Sequence, residues 1–336
     1  MSRAASSRLA VRTLGRTGLQ ITELGFGAWG IGRAMWGSTD DAESRRALRS
    51  ALELGVNYFD TAFVYGRGHS ERLIAETLRE TGMTGKVFVA SKVPPKNMEW
   101  PARKATRLAH AFPAAWIRSC VESSLRNLRC DRIDVIQMHV WNDVWLKDKS
   151  WPDSLGEFDR LKKEGKVGFV GASINSDDPE TSLELVRSGT VDMLQVLFNM
   201  FDQRPIDRLF PLCREKNIGV VARCPFDEGG LTGKLTEKTR FEPEDFRSHY
   251  FGGERLAETC RRAKALEQAI VPEHAANLAH AALKFCLSFP EVSSVIPGMR
   301  TRAHVEDNAR AVDGNYFSGP LLKSLAIHRW VRHFYD

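Results

Sequence analysis

Eight short apolar runs, separated by longer amphipathic stretches, constrain this chain more than any other feature. The runs are Leu24–Gly27, Val56–Asp60, Lys86–Lys92, Ile133–His139, Val167–Ala172, Val191–Leu197, Ile218–Arg223 and Ser294–Pro297. Most are rich in β-branched residues and read as buried parallel strands rather than half-exposed ones. Helices fit the spaces between them. A helix over Asp41–Leu54 follows the capping cluster Ser38-Thr39-Asp40 and stops at Gly55. Ile117, Val121, Leu125 and Leu128 recur on one helical face, as do Leu278, Ala281, Ala282, Phe285, Cys286 and Phe289. Strands alternating with helices pair in parallel through right-handed crossovers. Eight such units in 336 residues predict a closed (β/α)8 TIM barrel. An open doubly wound sheet would carry G-x-G-x-x-G after its first strand, and no run has that sequel.

The predicted organisation is a disordered tail over residues 1–10 and one barrel domain over 11–336. Thr13–Glu23 reads as a β-hairpin cap. Two long stretches, Pro94–Pro113 and Asp227–Glu254, follow strands and fall at the C-terminal mouth, where barrel loops carry function. The first of them holds Lys96, Arg103, Lys104 and Arg107 and is expected to form a basic lid.

Other classes fall away. The formal net charge is +6, but both signs are scattered and no nucleic-acid module is present. No apolar run nears the roughly 20 residues that span a bilayer, and the N-terminus lacks the apolar core of a secretory signal. The six cysteines include no C-x-x-C, which suits reduced thiols in a cytoplasmic protein. The histidine spacings, five (His328, His333) and six (His274, His280), predict no metal site.

Three of the runs end in ionisable residues: Asp60, Lys92 and His139. Barrel topology gathers such ends on one face, and Tyr65 follows Asp60 by five residues. The set has a chemical logic. A phenol is a poorly matched acid near neutrality, and an adjacent ammonium favours its ionisation. A carboxylate offsets burial of the ammonium. A histidine can hydrogen-bond a substrate oxygen. The set can deliver a proton to a carbonyl; the hydride must come from a nicotinamide cofactor.

The segments LGFGAWGIG (24–32), NYFDTAFVYG (57–66), VFVASKV (87–93), IDVIQMH (133–139), GKVGFVGAS (165–173) and SVIPGMRTRAHVEDN (294–308) occur in the order typical of aldo-keto reductases. The chain resembles that superfamily over roughly residues 12–312, and the IPG motif with GLTGK (230–234) resembles its bacterial-type branch, related to potassium-channel β subunits. The resemblance implies a tetrad of Asp60, Tyr65, Lys92 and His139, with Tyr65 as general acid, and NADPH rather than NADH as cofactor. It implies that Gly27 belongs to the cofactor site and that Ser173 and Gln195 hold the carboxamide; Asn175 falls one residue late for the usual Ser-Asn pair. Arg223 stands where many members stack an aromatic ring on the nicotinamide, or else pairs with Asp227 or Glu228. Pro225, Phe226, Gly229, Lys234 and Arg247 match the loop over the pyrophosphate. Pro297, Gly298, Arg300, Arg302, Asp307 and Asn308 match the adenosine end, with the two arginines offered to a 2′-phosphate. Trp29, Phe63 and Trp141 are expected to line the substrate wall.

The implied activity is reduction of a small aldehyde or ketone. The alternatives are the reverse oxidation of an alcohol or sugar, and a slow-turnover NADPH-binding sensor. No membrane or nucleic-acid partner is expected, and the sequence leaves the oligomeric state open.

Overall fold

The structure, a computed structural model, describes residues 9–33, 35–37 and 40–335. Two antiparallel strands, β1 (Val11–Thr13) and β2 (Gln20–Thr22), form the expected hairpin. Eight parallel strands follow in sequence order: β3 (Phe26–Gly27), β4 (Tyr58–Asp60), β5 (Phe88–Val93), β6 (Ile133–Met138), β7 (Val167–Ser173), β8 (Met193–Leu197), β9 (Gly219–Arg223) and β10 (Val292–Ile296). Parallel bridges Leu24–Val295 and Gly27–Gly298 join the first of these to the last, which makes the sheet a (β/α)8 barrel. Each apolar run of the sequence contains or overlaps one of these strands, with ends that coincide or differ by at most two residues.

The helices are those expected. Asp41–Glu53 is capped by Asp40, whose carboxylate accepts from the Ala42 amide at 2.9 Å; Ser38 and Thr39 lie outside the described residues. Ala114–Leu128 and Leu278–Leu287 turn their apolar stripes inward, and every residue of the second is buried. Residues 1–8 of the expected tail also lie outside the described residues. Leu9 packs on the core and the Ala10 carbonyl accepts from the Glu23 amide at 2.9 Å, so order begins before residue 11.

Side chains alternate across a strand, and this period of two builds the barrel interior in layers. The lower layer is apolar: Tyr58, Ala90, Val135, Met193 and Val221, plugged from beneath by Leu14 and Ile21 of the hairpin. Two residues further along the same strands stand Asp60, Lys92, Gln137, Gln195 and Arg223. The upper layer is therefore polar, and it forms the floor of a cavity that opens at the strands' C-terminal ends.

Candidate active site

The cavity holds about 680 Å³ and includes the four expected catalytic residues on its walls. Lys92 and Asp60 are almost fully buried. The Lys92 ammonium donates to Asp60 Oδ1 at 2.5 Å and to the Thr61 carbonyl at 2.7 Å. The Asp60 carboxylate also accepts from Gln195 Nε2 at 3.2 Å and Gln137 Nε2 at 3.4 Å. Burial pushes the Asp60 carboxyl up and pulls the Lys92 ammonium down, so each charge persists through the other.

Tyr65 sits on a tightly tied loop. Its amide donates to the Ala62 carbonyl at 3.0 Å, the Phe63 amide to the Lys92 carbonyl at 3.3 Å, and Ser70 Oγ to the Ala28 carbonyl at 3.0 Å. Gly66 follows at φ +63°, where a Cβ would lie 1.9 Å from the Gly32 carbonyl oxygen, so the tyrosine must be followed by glycine. The Tyr65 ring centre is 5.2 Å from Lys92 Nζ and 5.8 Å from the His139 ring. His139 extends β6 by donating its amide to the Val93 carbonyl at 2.9 Å. Burial, then the charges of Lys92 and Arg223, hold its pKa well below the usual histidine value; its buried Nδ1 has no partner among the described residues.

One expectation changes. An ammonium next to Tyr65 should make the phenol more acidic, but this ammonium is committed to Asp60. Burial, reinforced by the Asp60 charge, raises the phenol well above its ordinary pKa, with Arg223 working in the opposite direction. Tyr65 is a firmly protonated phenol in this state.

Of the remaining expected residues, Gly27, Ser173, Gln195, Arg223, Pro225 and Phe226 line the cavity near the tetrad. Gly298 borders it at the seam beside Gly27, and Gly229, Lys234, Arg247, Arg300, Asp307 and Asn308 line its far arm. Asn175 also reaches the cavity, but both ends of its amide are taken by the backbone of Ala102, each at 3.0 Å. It ties down the 94–113 loop instead of presenting a free carboxamide partner. Arg223 donates to Ser176 Oγ at 2.8 Å and to the Ile174 carbonyl at 3.2 Å. The expected alternative of an ion pair with Asp227 or Glu228 is absent among the described residues: Asp227 holds Arg332, and Glu228 holds Cys224 and Tyr335.

Four expected residues do not line the cavity. Trp141 is fully buried against Trp145 and Trp151, and its indole N–H donates to Asp143 Oδ1 at 2.8 Å. Strand alternation explains this: a residue two past His139 keeps the inward face only while the strand continues, and β6 has ended. Phe63 packs on the core beneath the loop. The Pro297 carbonyl accepts from the Gly27 amide at 3.1 Å and closes the barrel seam. Arg302 begins a helix, pairs with Glu306 at 2.7 Å and faces solvent. The 94–113 loop brings Met98, Trp100 and Pro101 to the cavity, not its basic residues. The expected basic lid is an apolar one.

The sequence reading missed the C-terminal segment altogether. Arg332, His333 and Tyr335 line the cavity. Arg332 pairs with buried Asp227, which also accepts from Tyr250 Oη at 2.8 Å, and Tyr335 donates to Glu228. The aromatic density of residues 330–335 was the available signal.

The cavity suits a dinucleotide on its own evidence. At the tetrad end, Gln195 Oε1 is buried without a partner among the described residues, an acceptor fit for a carboxamide N–H. At the far end, Asn308 Nδ2 is a buried donor without a partner among the described residues, fit for a base nitrogen. Lys234, Arg300 and His304 line the same arm. Arg300 donates to the Trp36 carbonyl at 2.9 Å and has no carboxylate within ion-pair distance among the described residues. Acceptor, donor and cations thus match what a carboxamide, a purine and phosphates require.

Residues 23–318 match the aldo/keto reductase family. The chain belongs to that family. It is 28% identical over 292 residues to the aldo-keto reductase YhdN of Bacillus subtilis, covering 86% of this chain and 85% of the relative. It is 27% identical to a probable voltage-gated potassium channel subunit beta of Arabidopsis thaliana, covering 90% of each. Among solved structures, the holo form of aldo-keto reductase AKR11C1 from Bacillus halodurans superposes with a TM-score of 0.75 at 25% identity, covering 96% of this chain and 97% of that one. This aldo-keto reductase family barrel is thus an oxidoreductase of the family's general kind. Among the described residues no helix is long and apolar enough to cross a membrane, and no cluster of potential ligands could hold a metal.

Proposed function

We propose that this chain reduces the carbonyl of an aldehyde or ketone to an alcohol, with NADPH as electron donor and Tyr65 as general acid. The observation that carries the reading is the buried Lys92–Asp60 pair set beneath Tyr65 and beside His139 on one cavity floor. When bound, a reduced nicotinamide supplies the hydride that no side chain can.

The residues supply the rest. Neutral His139 and the Tyr65 hydroxyl hydrogen-bond the substrate oxygen and fix its position. Because burial keeps the phenol protonated, Tyr65 holds a proton ready for the alkoxide oxygen as that oxygen gains charge. The phenolate left behind faces the Lys92 ammonium, which favours it more than the starting phenol. Gln195 and Ser173 offer polar atoms to a carboxamide, Lys234 and Arg300 offer charge to phosphates, and His304, whose pKa is lowered by burial and by those two cations, offers a neutral hydrogen-bonding group. Arg300 without Arg302 supports the 2′-phosphate and hence NADPH over NADH. The rim of Trp29, Trp100, Met98 and Phe246 favours substrates with an apolar or aromatic body.

Tyr65→Phe tests this reading. Reduction of a generic aromatic aldehyde should fall at least about a hundredfold in kcat, as loss of a general acid does, while NADPH quenching of tryptophan fluorescence persists. Undiminished turnover in that variant defeats the assignment.

A further inference from the structure

The cavity floor carries two cations, and among the described residues only one of them stands in an ion pair. Lys92 has Asp60 at 2.5 Å. Arg223, at the end of β9, has no carboxylate within ion-pair distance among the described residues. Its Nη2 donates to a hydroxyl and a carbonyl; among the described residues its Nη1 has only the Cys224 sulfur, at 3.5 Å, and its buried Nε has no partner. A guanidinium keeps its charge at every accessible pH, so this wall of the cavity always carries a fixed cation. The carboxyl next along, Glu228, forms no ion pair with it; it accepts from Cys224 Sγ at 3.2 Å and from Tyr335 Oη, and acts on Arg223 only from beyond ion-pair distance.

The position matters. Strand β9 lies beside β8, where Leu197 is the register partner of Arg223, and Gln195 with its free Oε1 points into the same floor. A ring whose carboxamide reaches Gln195 and whose reactive edge faces the carbonyl at Tyr65 lies beside Arg223. The two redox forms of that ring differ there by one charge: the reduced ring is neutral, the oxidised ring is a cation. A nearby fixed cation in a poorly solvated cavity repels only the second.

We propose that Arg223 makes the protein discriminate between the redox states of its dinucleotide, holding the reduced form and expelling the oxidised one. The inference rests on the proposed nicotinamide site and adds a specificity-determining residue to it. Its consequence is directional: the site refills with reductant and clears spent cofactor, which favours steady reduction and disfavours alcohol oxidation under the same cofactor pool.

Equilibrium binding tests it without turnover. Kd values for NADPH and NADP+ are measured by calorimetry on the wild type, Arg223→Lys and Arg223→Met, with adenosine 2′,5′-bisphosphate as the control for a folded far arm. The wild type should bind NADPH about tenfold or more tightly than NADP+, the size expected for one charge pair a few ångströms apart at an intermediate dielectric. Lys should keep that ratio, and Met should bring it close to one. If Met leaves the ratio intact while both forms bind, or if Lys collapses it as Met does, the proposal is overturned. It is overturned equally if the variants change only the KM of carboxylate-bearing carbonyl substrates, which would make Arg223 a substrate anchor. Should Arg223→Met fail to bind the bisphosphate, the wild-type ratio decides, and a value near one overturns the proposal. If the wild type binds neither dinucleotide, the nicotinamide reading itself fails.

Discussion

The floor and the rim of the cavity are built by different means. The floor consists of strand ends: Asp60, Lys92, Gln137 and Gln195 stand one alternation above an apolar layer, and none can move without moving the barrel. The rim consists of five segments that hold one another through a few contacts. Asn175 clasps the 94–113 loop, Arg332 and Tyr335 clasp Asp227 and Glu228, and the Phe246 amide reaches the Met35 carbonyl at 2.7 Å. The floor is rigid and polar, and the rim is aromatic and assembled from distant segments. The contrast suggests that chemistry is fixed by the first and choice of substrate by the second.

The largest effect that can test this division is at the floor. Asp60→Ala leaves an ammonium buried without its carboxylate, and breaking such a pair costs about 3–5 kcal/mol. Urea unfolding should register that loss, and the double variant Asp60→Ala, Lys92→Met should recover much of it while remaining inactive. A single variant as stable as the wild type would mean that Lys92 sheds its proton at little cost.

At the rim, Arg332→Ala removes the cation from buried Asp227, which keeps only Tyr250. A stability loss of about 2 kcal/mol is expected from leaving that acceptor under-satisfied, with dinucleotide affinity weakened and the pH profile of turnover unmoved. Weakened affinity together with a shifted pH profile would mean that the rim reaches into the chemistry.

Trp100→Ala, also on the rim, should raise KM for a bulky aromatic aldehyde by roughly fivefold through lost apolar contact, leaving that for acetaldehyde and both kcat values alone. Loss of kcat would erase the distinction between the two regions.

A smaller effect concerns acid. The folded pKa of His139 is depressed below 6.5, so the unfolded chain binds its proton first. Stability from this residue is complete above about pH 6.5 and declines as pH falls below it toward the folded value. His139→Asn should therefore lose less Tm than the wild type between pH 7.5 and pH 5.5. Equal losses would mean that His139 charges in the folded protein. Smallest of all, Arg302→Ala should leave the preference for NADPH over NADH unchanged, whereas Arg300→Ala should reduce it.

The same division decides what could be read from the sequence. Strand ends carry a local signature, an apolar run that stops at an ionisable residue, and period-two alternation then assigns the side. Asp60, Lys92 and His139 were legible for that reason, and Tyr65 through its place five residues after Asp60 on the adjoining loop. Trp141 was misplaced because the same alternation was extended past the end of β6. The rim has no such grammar. Which of Met98, Trp100 or Lys104 turns inward depends on Asn175, seventy residues away, and Arg302 was matched to a phosphate although Glu306, one helical turn on, already claims it. The raised pKa of Tyr65 was hidden as well, because it follows from how completely the folded cavity buries the phenol, with the Asp60 charge adding to the rise.

The seam ties the contents of the cavity to the integrity of the barrel. The circle of strands is fastened between Gly27 and Gly298, where a Cβ on Gly27 would sit 2.6 Å from the Ile296 carbonyl oxygen, and both glycines border the cavity. Any molecule lying in that cavity touches the opening and closing staves of the barrel together and acts as a hoop around them. Loaded protein should accordingly resist proteases that enter by prising these staves apart, and a bulkier residue at position 27 should let the barrel spring open there first.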